Sequence, residues 1–434
     1  MNAALRSFEA QWRARPADAL QPIREQAMQR FLKLGLPTSS DETWRYTDLR
    51  SLAAQSFQAA AGEIRGTLDP NAALSLVDGT QRAATMIMIN GAAPADADNT
   101  RIHGFTISSI KSLSKLDHGA LLRFFPPVSD ADQRRWVLLN TALFDDGLYL
   151  KITERVTVPL VILHVSSGAG AQEAAHPRII IDAAPGSSAT IIEHHVTHGE
   201  FAPLSNSNTH IALGQDAQLE HYRVYATSAG ATHLDALEIH QARGSQCKQF
   251  TIALGGGLVR SSLDVYLNQS GASLESHALL VGHGDRHVDC VNIVTHAAPD
   301  TRSRQTARAI AGDTSRVIFN SKVIVKAGAV HSDSQQSCRG LLLSPSAEID
   351  TRPQLEIHAD EVKCAHGATV GRLDPDMLFY LLSRGLDRET AQSLLVYAFL
   401  ADVLTGMSVT SARSAIESAL IGQLPDSQTL RNFK

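Results

Sequence analysis

From about Trp136 onward the chain is written in short apolar, β-branched runs: VPLVILHV, RIIIDA, ATIIEHHV, NTHIAL, QLEHYRVY, SLDVYL, VNIVTH, RVIFNSKVIV and AEIDTR. Val, Ile, Thr and Tyr suit a pleated, half-buried backbone, so each run predicts a strand. Between the runs, glycine precedes a small or polar pair at Gly186-Ser-Ser, Gly214-Gln-Asp, Gly244-Ser-Gln, Gly271-Ala-Ser, Gly312-Asp-Thr and Gly328-Ala-Val. Their separations are 28, 30, 27, 41 and 16 residues, mostly near multiples of about fourteen. Strand-only content with a weak internal period predicts stacked coils, a parallel β-helix built from two sheets. A pair of ordinary β-sandwiches is the other architecture this pattern allows.

The flanks have a different texture. Up to about residue 60, Leu5, Phe8 and Trp12, then Met28, Phe31 and Leu32, fall at helical spacing. Gly35 and Pro37 end one helix, and Ser39, Ser40 and Asp41 offer caps for another turn. Residues 61–130 are mixed, with a strand expected at 85–89. After Gly371, Asp374-Pro375 forms an N-cap with proline at the first helical position, and Gly385 is a natural stop. A second helix after Asp387 carries Leu394, Leu395, Ala398, Phe399 and Leu404 on its expected apolar face, and a third ends near Gly422. The predicted fold is mainly β: an N-terminal helical (α/β) region over 1–135, a parallel β-helix core over 136–371, and a C-terminal three-helix cap or docking module over 372–434.

Composition narrows the function. The 44% hydrophobic and 19% charged content describe an ordinary globular chain, and a net charge of -5 gives no basic footprint for nucleic acid or membrane. The four cysteines, Cys247, Cys290, Cys338 and Cys364, are too far apart for CxxC pairs and too few for a disulfide framework. The N-terminus lacks an apolar signal core, and LLVYAFLADVL is interrupted by Asp402 and too short for a membrane span. A cytoplasmic protein without nucleic-acid or membrane partners is expected.

The chemistry concentrates at Cys364 and His366. On a strand they share one face, with α-carbons roughly 7 Å apart, so both side chains can border one soft-metal or sulfur site. Two ligands do not complete such a site; the rest must come from neighbouring coils or another chain. The competing reading is a buried free cysteine beside a satisfied histidine. Residues 367–371 read as a glycine corner leading into the helical tail. His194, His195 and His198, and the scattered His277, His283, His287 and His296, read as polar surface. Gly255-Gly-Gly lacks the lysine of a phosphate loop and reads as a turn, and no nucleophile elbow, HExxH or EF-hand loop occurs. No aspartate cluster supports a polysaccharide-cleaving β-helix.

Longer motifs carry a family resemblance. From Phe319, about seventy residues follow one pattern through Gln335, Leu341-Leu-Leu-Ser344, Ala347, Pro353, Cys364, His366-Gly-Ala-Thr369 and Tyr380 to Ser383-Arg-Gly385. Glu42-Thr-Trp-Arg-Tyr-Thr47 and Leu139-Asn-Thr-Ala-Leu-Phe-Asp-Asp-Gly147 extend it towards the N-terminus, with the poorest match over 55–130. The chain resembles the SufD family, scaffold subunits of the Suf machinery for iron–sulfur cluster assembly. The paralogous SufB scaffold is the nearest alternative; the intact Cys364-x-His366-Gly-Ala-Thr-x-Gly371 corner and the 42–47 motif favour SufD. A metal-free structural β-helix is the alternative outside the family.

The resemblance implies a right-handed parallel β-helix and a non-catalytic role. It implies pairing with SufB through the β-helix, and binding of the ATPase SufC through the C-terminal helices. Residues 377–382 form an apolar docking helix within the matching Met377, Leu378, Phe379, Tyr380, Ser383, Arg384 and Gly385. A transient iron–sulfur cluster shared with SufB is implied at His366 and Cys364, with His366 the stronger candidate. Self-association of the isolated subunit is a further implication. Reduced flavin has been linked to the family complex, although no dinucleotide fingerprint occurs here.

Overall fold

A computed structural model describes residues 2–64, 81–125, 128, 129, 134–168, 172–199 and 201–424. Its organising relationship is a repeated parallel register. Ser188 stands beside Gln218, which stands beside Gln246, and the row continues through Ser273, Arg302, Asp333 and Lys363. Successive members are 27 to 31 residues apart, twice the spacing suggested by the glycine turns, because each coil contains two strands. Among the described residues the strands form a thirteen-stranded and a nine-stranded sheet, and from Asn208–Leu213 onward consecutive strands alternate between the two. The result is a β-solenoid of about seven turns, mainly β overall, with helices at both termini of the chain.

The turns explain why the glycine signal was only approximate. Gly186, Gly244, Gly271 and Gly328 adopt positive φ, which glycine tolerates without a Cβ penalty. In the Gly214 and Gly312 turns the left-handed residue is instead Asp216 or Asp313. Gly257 serves a different need: a Cβ there would lie 2.2 Å from the Ala229 carbonyl oxygen of the preceding coil. The Gly255-Gly-Gly segment is the expected turn, joining strands Gln246–Ala253 and Leu258–Leu267.

Side-chain alternation sends one set of residues between the sheets. Ile191, Leu219, Leu237, Leu263, Leu274 and Val323 belong to one interior cluster; Leu280, Ala309, Phe319 and Cys338 belong to another. Burying such side chains contributes roughly 1.5–3 kcal/mol each before chain entropy is counted.

The helices Ala3–Ala14 and Gln21–Leu34 bury Phe8, Met28 and Phe31 together with Trp136, Leu139 and Leu234. Residues 42–47 form a clasp on the thirteen-stranded sheet. Arg260 lies 3.7 Å from the Trp44 ring centre and donates to the Thr43 carbonyl at 2.7 Å. Arg260 also pairs with buried Asp289, which accepts from Thr47. Arg352 bonds Glu42 at 2.7 Å. Strand Ala84–Ile89 joins the nine-stranded sheet parallel to Leu160–Ser167, and Phe105–Ser109 pairs antiparallel with Leu148–Ile152.

The C-terminal helices Pro375–Ser383, Arg388–Leu404 and Thr410–Ile421 begin and end close to the expected signals. They do not cap the end of the coil. Val396, Leu400, Val403 and Leu404 pack on outward-facing Tyr222, Phe250, Leu279 and Ile310, along the flank of the nine-stranded sheet. The buried stripe of the middle helix is therefore Ala391, Val396, Leu400, Val403 and Leu404; Ala398 is exposed, and Leu394, Leu395 and Phe399 are only partly buried. No helix among the described residues is long and apolar enough to cross a membrane.

Candidate functional site

The last strands of the two sheets, Glu348–Ile357 and Lys363–Gly371, each have a paired neighbour on one side only among the described residues. Both carry partly or fully exposed residues throughout, unlike the strands before them. One end of the solenoid is thus an open pair of strand edges with the end of the interior beside it. Unpaired edges of this kind are templates for further strand pairing.

Cys364 and His366 both lie on this final strand, opposite Ser334 and Gln336. The strand continues through Gly371, so residues 367–371 are strand rather than the expected corner: they pair with Ser337 through Leu341. The turn follows at 372–374. Cys364 ends an inward-facing row that runs through Leu219, Cys247, Leu274, Ser303 and Ser334. It packs partly against the interior core, and His366, two residues on, is exposed. Burial raises the Cys364 thiol above its ordinary pKa and Asp333 adds to the rise, while the Ser334 backbone opposes it. Cys247, Cys290 and Cys338 are sealed inside, their thiols pushed up to about 12 chiefly by burial. Only Cys364 of the four is within reach of another molecule.

The helix Pro375–Ser383 starts at Asp374, whose carboxylate accepts from the Asp376 and Met377 backbone, and is followed by Gly385 at φ 92°. None of its residues is buried: Met377, Phe379 and Tyr380 are 58%, 71% and 57% exposed. Leu378 is half-buried, Ser383 donates to the Tyr380 carbonyl, and Arg384 sits 5.1 Å from the Tyr380 ring centre. Large apolar side chains grouped on one exposed helix are a mark of an interaction surface.

Several histidines expected at the surface are inside. His194 and His195 are buried, with His194 outward between Leu163 and Val224 in register and His195 towards the interior. His277, His287 and His296 are strand residues. Sequence reasoning missed the interior cluster around Glu193, which accepts from His221 at 2.7 Å, His164 at 3.1 Å and Thr209 at 3.1 Å. The parity of 193 and 195 with apolar Ile191 was the available signal, since alternate strand residues share a face. On the outer face of the other sheet, His210, Glu238 and His240 form a second group, in which Arg134 also pairs with Glu238.

Comparison with known proteins bears on the chain's family. Residues 164–399 match the family model described as SUF system FeS cluster assembly, SufBD core domain, and residues 5–162 match that of the SufBD protein N-terminal region. The iron-sulfur cluster assembly protein SufD of Escherichia coli is 29% identical over 407 residues, 93% of each chain. A SufBD family protein of Synechocystis is 28% identical, covering 89% of this chain and 87% of its own. The SufD protein of Bacillus subtilis is 25% identical over 67% of both chains. On these matches, and on the solenoid with its helical flanks, the chain belongs to the SufBD family of iron–sulfur cluster assembly proteins.

Proposed function

We propose that this chain is a non-catalytic, cytoplasmic scaffold subunit that pairs with a SufB-type solenoid and docks a SufC-type ATPase. The observation that carries the reading is the open end of the solenoid, where two strand edges have no neighbour among the described residues and one of them carries Cys364 and His366. A second solenoid adding strands to both edges completes the hydrogen bonding and covers the end of the apolar interior. A thiol and an imidazole on the rim then face ligands from the partner, so a nascent iron–sulfur cluster, the cargo of the complex, is held between two chains. His366 supplies the exposed nitrogen, and Cys364 the only cysteine that is not buried.

The exposed Met377, Phe379 and Tyr380 support the helix Pro375–Ser383 as the ATPase-docking surface, with Leu378, Ser383, Arg384 and Gly385 shaping it. Without its partner, the same open end accommodates a second copy of this chain. Co-expression with SufB and SufC homologues tests the reading. A complex carrying iron and acid-labile sulfide is expected; failure of this chain to co-purify with either partner contradicts it.

A further inference from the structure

We propose that the cavity between the 42–47 clasp and the start of the helix Arg135–Leu143 binds a small monocarboxylate with an apolar, ring-sized body. The site is separate from the open end of the solenoid and does not rest on the assembly role.

The floor of the cavity is the outer face of the thirteen-stranded sheet. Ala236, Ser262 and Val291 stand side by side in register there, and Asp264 stands beside Ile293. Trp44 of the clasp and Trp136 and Val137 of the helix complete the lining, around a volume of about 240 Å³. That is roughly the liquid volume of eight waters, room for one ring and a short acid chain. Trp44, Val137, Val291 and Ile293 offer the body of such a molecule an apolar surface. Arg260, stacked 3.7 Å from the Trp44 ring centre, holds that wall in place.

Two independent observations call for an acceptor oxygen here. Arg135, Trp136 and Val137 are the first three residues of the nine-residue helix, so their amides have no intrahelical acceptor. The cap residue Arg134 makes no side-chain cap bond, and a helix start left in this way favours an anion. The second observation concerns side chains. Trp136 is 6% exposed, and its Nε1–H is buried without an acceptor, as is the Nε–H of Arg135.

The charges on the walls select the kind of anion. Arg135 already pairs with Asp41 at 2.8 Å, Arg134 with Glu238, and Arg260 with Asp289. Asp264 is engaged as well. The guanidinium charges are therefore matched, and what the lining lacks is hydrogen-bond acceptors. One carboxylate supplies two oxygens with a single charge. A phosphate dianion would bring a second charge beside Asp264 and Glu238, where it is repelled.

The test titrates the full chain with phenylacetate, read by calorimetry and by the fluorescence of the cavity tryptophans. Saturable binding with a Kd below about 1 mM is expected. Phenylacetamide, which lacks the charge, and acetate, which lacks the body, should each bind at least about tenfold more weakly. Trp136→Phe, which removes the indole N–H and keeps an aromatic ring, should weaken phenylacetate about tenfold. Ala236→Leu, which fills the floor, should abolish binding, and His366→Ala should leave it unchanged. No saturable binding up to about 10 mM, equal affinity for the acid and the amide, or unchanged affinity in Trp136→Phe overturns the proposal and leaves the two donors to water. If Ala236→Leu fails to fold, the wild-type selectivity and Trp136→Phe decide.

Discussion

His366 is the exposed continuation of an inward-facing row whose preceding member, Gln336, is buried. The same break from covered to uncovered occurs beside it. Ile357 and Val370, with the inward parity of core-packed Leu355 and Cys364, are 42% and 41% exposed. A partner solenoid stacked on this end would bury both. Val370→Glu should therefore reduce co-purification of a SufB partner by about tenfold or more, because it buries an unpaired charge. Its own unfolding temperature should move by no more than about 2 °C, since the site is open in the isolated chain. Unchanged partner recovery would remove this surface from the interface.

The proposed docking role of helix Pro375–Ser383 gives an independent prediction. Met377, Phe379 and Tyr380 contribute little to the fold while exposed, so replacing all three with serine should cost under about 1 kcal/mol of stability. Binding to the SufC partner, measured by calorimetry, should weaken by at least about a hundredfold, as expected when interface aromatics are truncated. Retained affinity would assign the ATPase to another surface.

The clasp formed by residues 42–47 predicts a stability effect without an interface effect. Asp289 is buried against Arg260, and Arg260→Ala would leave that carboxylate without its guanidinium and expose one face of Trp44. A loss of about 3–5 kcal/mol in urea unfolding is expected, typical of breaking a buried pair by removing one partner. A loss below about 1 kcal/mol would mean that the N-terminal segment does not depend on this contact.

Acid should destabilise the chain through histidines buried in the neutral form. Burial pushes His210 and His296 down to about 4, against the opposing pull of Glu238 and Asp333 respectively. In the unfolded chain they titrate near about 6.5, so between the two values the unfolded state holds more protons. Their contribution is complete above about pH 6.5 and is lost as pH falls towards 4, by up to roughly 1.4 kcal/mol per pH unit for each group. Urea midpoints should drop between pH 7 and pH 5, with a shallower drop in His296→Asn. An identical slope in that variant would exclude His296 from the effect.

Much of the architecture was legible because strand alternation and glycine turns are local signals. The apparent period near fourteen was half a coil, since two strands complete each turn, and Asp216 and Asp313 take the left-handed position in two turns. The course of the C-terminal helices was not legible. Their apolar residues signalled burial, but only tertiary packing shows that Leu400 joins Phe250, Leu279 and Ile310 in one cluster on the flank and leaves the end of the coil open. Cys364 and His366 were readable as a shared strand face. The Glu193 cluster was not, because His164, Thr209, His221 and Glu193 meet only through coil stacking between separate strands.

The central claim is that the rim of the open end holds the assembling cluster. The direct measurement is the iron and acid-labile sulfide content of the anaerobically purified complex, co-expressed with SufB and SufC partners, for wild type and His366→Ala. The account predicts intact complex stoichiometry with iron and sulfide reduced at least about fivefold, because the exposed imidazole has been removed from a shared ligand set. Wild-type iron and sulfide in a fully assembled His366→Ala complex would contradict it.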